Sequence, residues 1–134
     1  MGQLNVAVVS AERALWRGIA KSVVAKTPEG EIGILPGHEP MLALLVESPL
    51  RIEVEDGSTL FVAVHGGFLS IDSDNVNVIA GTAELASSIS IERAKAALDR
   101  IKASSEDDEV IAAARRRAET RITVASVAAG VSGH

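Results

Sequence analysis

Cysteine is absent from the 134 residues, and so is tyrosine. Without thiols there is no disulfide scaffold, no thiolate zinc site and no thiol nucleophile. Aromatic residues make up 2% of the chain: Trp16, Phe61 and Phe68. That poverty removes the stacking platforms of a single-strand nucleic-acid binder. It also leaves Val, Ile, Leu and Ala to build the core. Positive charge is in short supply too, and the net charge is −5. Nucleic-acid binding needs a basic face that displaces counterions, so no nucleic-acid partner is expected. No apolar run approaches the ~20 residues of a membrane span. Met1–Val6 lacks the basic and apolar regions of a secretory signal. A soluble cytoplasmic protein without membrane insertion is the expectation.

What is present is a 47% apolar chain of two textures. A chain this long can bury roughly 65–70% of its unfolded surface, enough for a real core. Apolar residues alternate in Leu4–Val9, Leu50–Val54, Leu60–Val64 and Val76–Ala80, the period of half-buried strands. Trp16–Lys26 and Met41–Val46 read as further extended runs. Thr27–Gly30, Glu55–Ser58 and Asp72–Asn75 read as turns, with Asp56-Gly57 expected to take the positive angles of a tight hairpin. Gly66-Gly67 interrupts a strand, the mark of a bulge or of close backbone approach. Short strands at this spacing make a β-sandwich or barrel.

After Gly81 the period becomes helical. Ser90 is placed to cap a helix. Ile91, Ala94, Leu98 and Ile101 share one face, and Ile111, Ala114, Ala118 and Ile122 share another. Ser104–Asp107 is expected to break the helix between them, and fraying is expected from Gly130. Charge changes at the same place. Residues 1–86 carry five basic and eleven acidic side chains, residues 87–134 eight and seven. The expected fold is therefore a mainly β N-terminal sandwich or barrel over residues 1–86. A C-terminal antiparallel α-helical hairpin over 87–134 follows it. Narrow Ala-rich stripes bury little surface, so the hairpin should dock weakly on the sandwich.

The stretch Glu29-Gly30-Glu31-Ile32-Gly33-Ile34-Leu35-Pro36-Gly37-His38-Glu39-Pro40 combines glycine, proline and apolar residues. It predicts a short strand running into a rigid exposed loop, where binding function tends to sit. No phosphate loop is present, since no Gly-Lys-Ser/Thr follows and no helix begins there. His38, His65 and His134 do not stand at metal-ligand spacing, so no metal site is expected. Glu29, Glu31 and Glu39 read as a solvated acidic rim rather than a hydrolase pair, and no catalytic residue is assigned. Arg115, Arg116, Arg117 and Arg121 form a basic cluster. It reads either as a solvated helix face or as a binder of a phosphate or an acidic segment. A small stand-alone ligand-binding sandwich and an ATP-sensing domain are the alternatives to a protein-binding role.

Glu29 through His38, followed by Pro40 and Leu42, resembles the signature of the epsilon subunits of bacterial F-type ATP synthases. Val9-Ser10-Ala11-Glu12, Gly66-Gly67-Phe68-Leu69 and Ala83-Glu84 fit the same family at the expected intervals. The resemblance implies a non-catalytic central-stalk subunit, peripheral on the cytoplasmic face of the bacterial cell membrane. In that family the sandwich binds the gamma subunit and stands on the c-subunit ring. Glu29, Gly30, Glu31, Ile32, Gly33 and His38 would then form the contact loop. The hairpin would reach the alpha/beta catalytic head and restrain ATP hydrolysis, with Arg115, Arg116, Arg117 and Arg121 facing an acidic beta segment. Some members bind regulatory ATP through an Ile/Leu-Asp-x-x-Arg-Ala motif. Here Ile89-Ser90-Ile91-Glu92-Arg93-Ala94 matches it, with Glu84 upstream and Arg117 and Arg121 downstream. Ser90 replaces the aspartate, and a hydroxyl does not supply the same charged acceptor. Nucleotide contact and simple helix capping both remain open for it.

Overall fold

The computed structural model describes residues 2–103 and 109–132. Seven strands come first: β1 (Leu4–Ser10), β2 (Ala14–Thr27), β3 (Gly30–Ile34), β4 (Met41–Val54), β5 (Thr59–Asp72), β6 (Asn75–Ala80) and β7 (Ala83–Leu85). A single 3-10 turn, Ala86–Ser88, leads to helices α1 (Ile91–Ala103) and α2 (Glu109–Ser132). The helix break expected at Ser104–Asp107 lies outside the described residues. α2 continues to Ser132, and the last part of the stretch expected to fray, Gly133 and His134, lies outside the described residues.

The strands follow the order β1, β6, β5, β4, β2, β3, and β2 also pairs with β1. β2 thus serves β1 through residues 14–20, β4 through 20–24 and β3 through 23–27. It can do so because its 14 residues outrun any one partner. This closes the sheet on itself and leaves β3 as an edge. β1 and β6 run parallel, while the other pairings are antiparallel. Alternation then decides what lies inside. Leu4, Val8, Val23, Ile34, Leu50, Ile52, Val62, Val64, Leu69, Ile71, Val76 and Val78 are all buried. No aromatic ring is among them, as the composition requires.

Two runs that read as separate strands are continuous. β4 passes through Pro49, which a central strand would reject for want of an N–H. The pairing of β4 with β2 covers only Ala20–Val24 opposite Arg51–Val54, so at Pro49 that edge of β4 has no β2 partner. β5 likewise passes through Gly66-Gly67. There the close-approach reading is correct. Gly67 has φ +147°, and a Cβ on it would lie 2.3 Å from the Ile79 carbonyl oxygen on β6. Two turns differ in their chemistry. At 55–58 only Gly57 takes a positive φ; the Asp56 carboxylate instead accepts from the Ser58 amide at 2.8 Å. At 72–75 it is Ser73 and Asp74 that take positive φ, the pattern of a two-residue type I′ hairpin.

Ser90 caps α1, its Oγ accepting from the Arg93 amide at 3.2 Å. α1 packs on α2, and α2 packs on β5 and β4. Arg93 of α1 shares a cavity with Arg121, whereas Ile101 lies in another with Val110. The two helices are therefore antiparallel. Buried Ala94 and Ala118 let them come close. The stripe Ile111, Ala114, Ala118, Ile122 faces inward, yet the residue that anchors α2 on the sandwich is Val124. It packs with Phe61 and Ala63 in a small cluster apart from the main core.

Gly67→Ala should destabilise the fold by more than ~2 kcal/mol, since it combines a steric clash with a left-handed backbone. Gly33 has open space around it, so Gly33→Ala should stay within ~1 kcal/mol of the parent protein. Urea denaturation of the two variants side by side measures the difference.

Candidate functional site

The Glu29–Pro40 stretch forms one end of the sandwich. Thr27 starts it, its Oγ1 accepting from the Glu29 amide at 3.2 Å and donating to the Gly30 carbonyl at 2.9 Å. These bonds set the turn into β3, which pairs only with β2. Glu31 stands opposite Lys26 on that edge and is exposed, as are Glu29 and Gly33. Ile32 is half-buried against the core. Beyond Ile34 the chain makes a turn closed by the His38 amide donating to the Leu35 carbonyl at 3.2 Å. Pro36 supplies the first central residue and Gly37, at φ +88°, the second, the requirement of a type II turn. The Gly37 amide also donates to Asp74 Oδ1 at 2.7 Å, which fastens the loop to the β5–β6 turn. His38 Nδ1 lies 2.7 Å from the Glu39 carbonyl oxygen. The His38 and Gly37 amides thus both have acceptors, one within the loop and one on the β5–β6 turn.

Next to this end, the outer wall carries an apolar row not singled out in the sequence. Register places Leu44 beside Phe68 and Phe68 beside Ile79, across β4, β5 and β6. All three are more than half exposed, and so is Leu42, two residues nearer the loop. Single exposed aliphatics are ordinary, whereas a contiguous row marks a contact surface. The signal was available in the alternation itself: Ile79 and Phe68 occupy the outward positions of their strands.

The helical candidates divide into two groups. Glu84, Ile89, Arg93, Ala94 and Arg121 meet around one cavity of about 360 Å³, between the 3-10 turn and both helices. Arg100 lines it as well and was missed. It lies seven residues after Arg93, hence on the same helix face. Arg115 and Arg116 point elsewhere: both are exposed, and Arg116 bonds Glu109 of its own helix at 2.6 Å. Arg117 is half-buried and does not line the cavity. The four arginines thus do not act as one cluster. Ser90 also lines the cavity, while its hydroxyl serves as the helix cap.

Beside the cavity, Glu84 Oε1 accepts from Arg121 Nε at 2.6 Å and lies 2.8 Å from His65 Nε2. The other ring nitrogen of His65 faces Glu47. Burial alone would raise the Glu84 carboxyl. The hydrogen bonds from Arg121 and His65, with their positive charges, outweigh burial and hold it below its ordinary 4.5. Among the described residues, no group of three or more His, Asp or Glu side chains is placed to hold a metal.

Residues 3–86 match the family described as ATP synthase, Delta/Epsilon chain, beta-sandwich domain. The ATP synthase epsilon chain of Streptomyces griseus is 42% identical over 125 residues, covering 93% of this chain and 97% of that one. The ATP synthase epsilon chain of Micrococcus luteus is 49% identical over 85 residues, covering 63% of this chain and 93% of that one. A chain in the cryo-EM structure of Euglena gracilis mitochondrial ATP synthase has the same fold. Its TM-score is 0.72 at 23% identity, covering all of this chain and 83% of that one.

Because Glu84 is held below 4.5 in the folded state, its stabilising contribution is full above that value and lost as pH falls through the lowered one. Glu84→Gln should therefore cost about 1–3 kcal/mol near neutral pH. The gap between variant and parent should close in strong acid. Urea midpoints of both proteins across the acid range check this.

Proposed function

This chain belongs to the ATP synthase epsilon chain family, and we propose that it acts as the central-stalk subunit of a proton-translocating F-type enzyme. It is a non-catalytic accessory subunit. In this reading residues 1–86 dock on a gamma subunit, and the Glu29–His38 end stands against the ring of c subunits. Residues 87–134 restrain ATP hydrolysis by reaching the alpha/beta head. Its place is peripheral, on the cytoplasmic face of the bacterial cell membrane. In keeping with that, no helix among the described residues is long and apolar enough to cross a membrane.

The observation that carries this reading is the apolar row of Leu42, Leu44, Phe68 and Ile79. A row of this kind on a closed sandwich offers a partner a dry contact centre. It stands beside the rigid loop, so one partner on the wall and another on the end can be engaged together. The length of the Micrococcus luteus relative adds support. Its 85 matched residues are nearly its whole chain, so a chain hardly longer than the sandwich bears the same name. Docking is accordingly assigned to the sandwich and regulation to the helices.

The arginine-lined cavity favours a second role, regulatory binding of ATP. Its volume is within the range of small-ligand sites. Arg93, Arg100 and Arg121 supply the guanidinium groups that phosphate oxygens need. Arg121 is already bonded to Glu84, so a triphosphate has to share or displace that pair. With Ser90 in place of an aspartate, affinity rests on the arginines.

Phe68→Ser should leave the isolated chain folded, because the ring is exposed. It should weaken binding to purified gamma by at least ~10-fold. Affinity within about twofold of the parent protein would rule out the row as the docking surface. For the second role, calorimetry at millimolar ATP should give a binding isotherm that Arg93→Ala abolishes. Absence of heat with the parent chain would exclude nucleotide binding.

A further inference from the structure

His65 occupies an unusual position for an imidazole. Its side chain is only 2% exposed, and each of its ring nitrogens faces a carboxylate oxygen. Nε2 lies 2.8 Å from Glu84 Oε1, and Nδ1 contacts Glu47 Oε2. An ionised carboxylate only accepts, whereas a neutral imidazole donates from one nitrogen and presents a lone pair on the other. A neutral ring, itself hardly reached by water, would aim that lone pair at an oxygen anion. The arrangement fits a ring that carries both protons, with one N–H for each carboxylate.

The same Glu84 oxygen accepts from Arg121 Nε at 2.6 Å. Four alternating charges therefore run in series from β4 through β5 and β7 to α2: Glu47, His65, Glu84, Arg121. With His65 protonated they sum to zero. The groups beyond them are Arg93 and Arg100 of α1, which line the cavity that Glu84 and Arg121 also line. The sandwich also meets α2 through an apolar cluster of Phe61, Ala63 and Val124, with Ala86, Ile89 and Ala128 packed against it. α1 packs on α2, and α2 on the sandwich. What fastens α2 therefore fastens both helices.

We propose that the Glu47–His65–Glu84–Arg121 series is a proton-controlled latch: α2 stays seated on the sandwich while His65 is doubly protonated and loosens when that proton is lost. Loss of the proton leaves two carboxylates beside one cation and sets a lone pair against one of them. Glu84 then moves, and Arg121 loses the acceptor that held it. The low dielectric around the ring magnifies both effects. The latch belongs to the isolated chain, and it stands or falls independently of the partners proposed above.

The absence of cysteine allows a direct test. Asn77→Cys on β6 and Thr123→Cys on α2 are both at exposed positions, and a donor–acceptor dye pair on them reports seating of α2. Between about pH 5 and about pH 8, the range in which imidazoles change charge, the seated fraction should fall several-fold. In the same protein with His65→Gln, it should not change over that range. A seated fraction that ignores pH, or an unchanged pH response in His65→Gln, would overturn the latch. Nitrogen-15 NMR of the His65 ring in the parent chain supplies a readout free of any folding defect in the variant. Both ring nitrogens should appear protonated in the seated state, and a neutral ring in that state refutes the proposal.

Discussion

Closure of the sheet through β2 is the constraint on which the rest depends. A strand with three partners is costly to displace, because every shift in its register breaks hydrogen bonds with β1, β4 and β3 together. Closure leaves β3, paired only with β2, and β7, paired only with β5, as margins of the sheet, so the Glu29–His38 end lies at an open margin. It also makes aromatic side chains unnecessary inside. A narrow closed sheet fills with Val, Ile, Leu and Ala, and the two phenylalanines go to surfaces instead. Phe61 lies under α2, and Phe68 faces outward on the wall.

Local chemistry in the sequence was enough for most of the elements, though β7 was not read from it and β4 and β5 were each read in pieces. Alternation marked the strands, Ser90 marked the start of α1, and Pro36-Gly37 marked a rigid turn. What stayed illegible depends on pairing over distance. The parallel union of β1 and β6 has no local signal, because it joins residues as distant in the chain as Asn5 and Asn75. His65 meets Glu47 and Glu84, which lie 18 and 19 residues away, and Arg121 meets Glu84 across 37. No spacing rule reaches that far. Arg100 could have been found by helical periodicity from Arg93. Asp56 shows the opposite failure. The Asp-Gly pair suggested two positive angles, but the aspartate found a better use as an acceptor for Ser58.

The two halves are joined by different physics. Inside the sandwich, burial of aliphatic side chains contributes about 1.5–3 kcal/mol for each large residue. Between sandwich and helices, the described residues include an apolar cluster around Phe61, Ala63 and Val124 and a chain of charges. Such a junction is strong when every charge has its partner and weak when one is missing. A seam built this way is selective about conditions in a manner that an all-apolar seam is not.

The bond from the Gly37 amide to Asp74 has a mechanical consequence. It braces the loop against the turn at the far end of β5. A push on the loop is then delivered lengthwise into a strand that also bears Phe68 on the wall and His65 at the helix seam. β5 acts as a strut, with the loop as its footing. One continuous backbone joins the footing to the wall and, past Gly66-Gly67, to the seam.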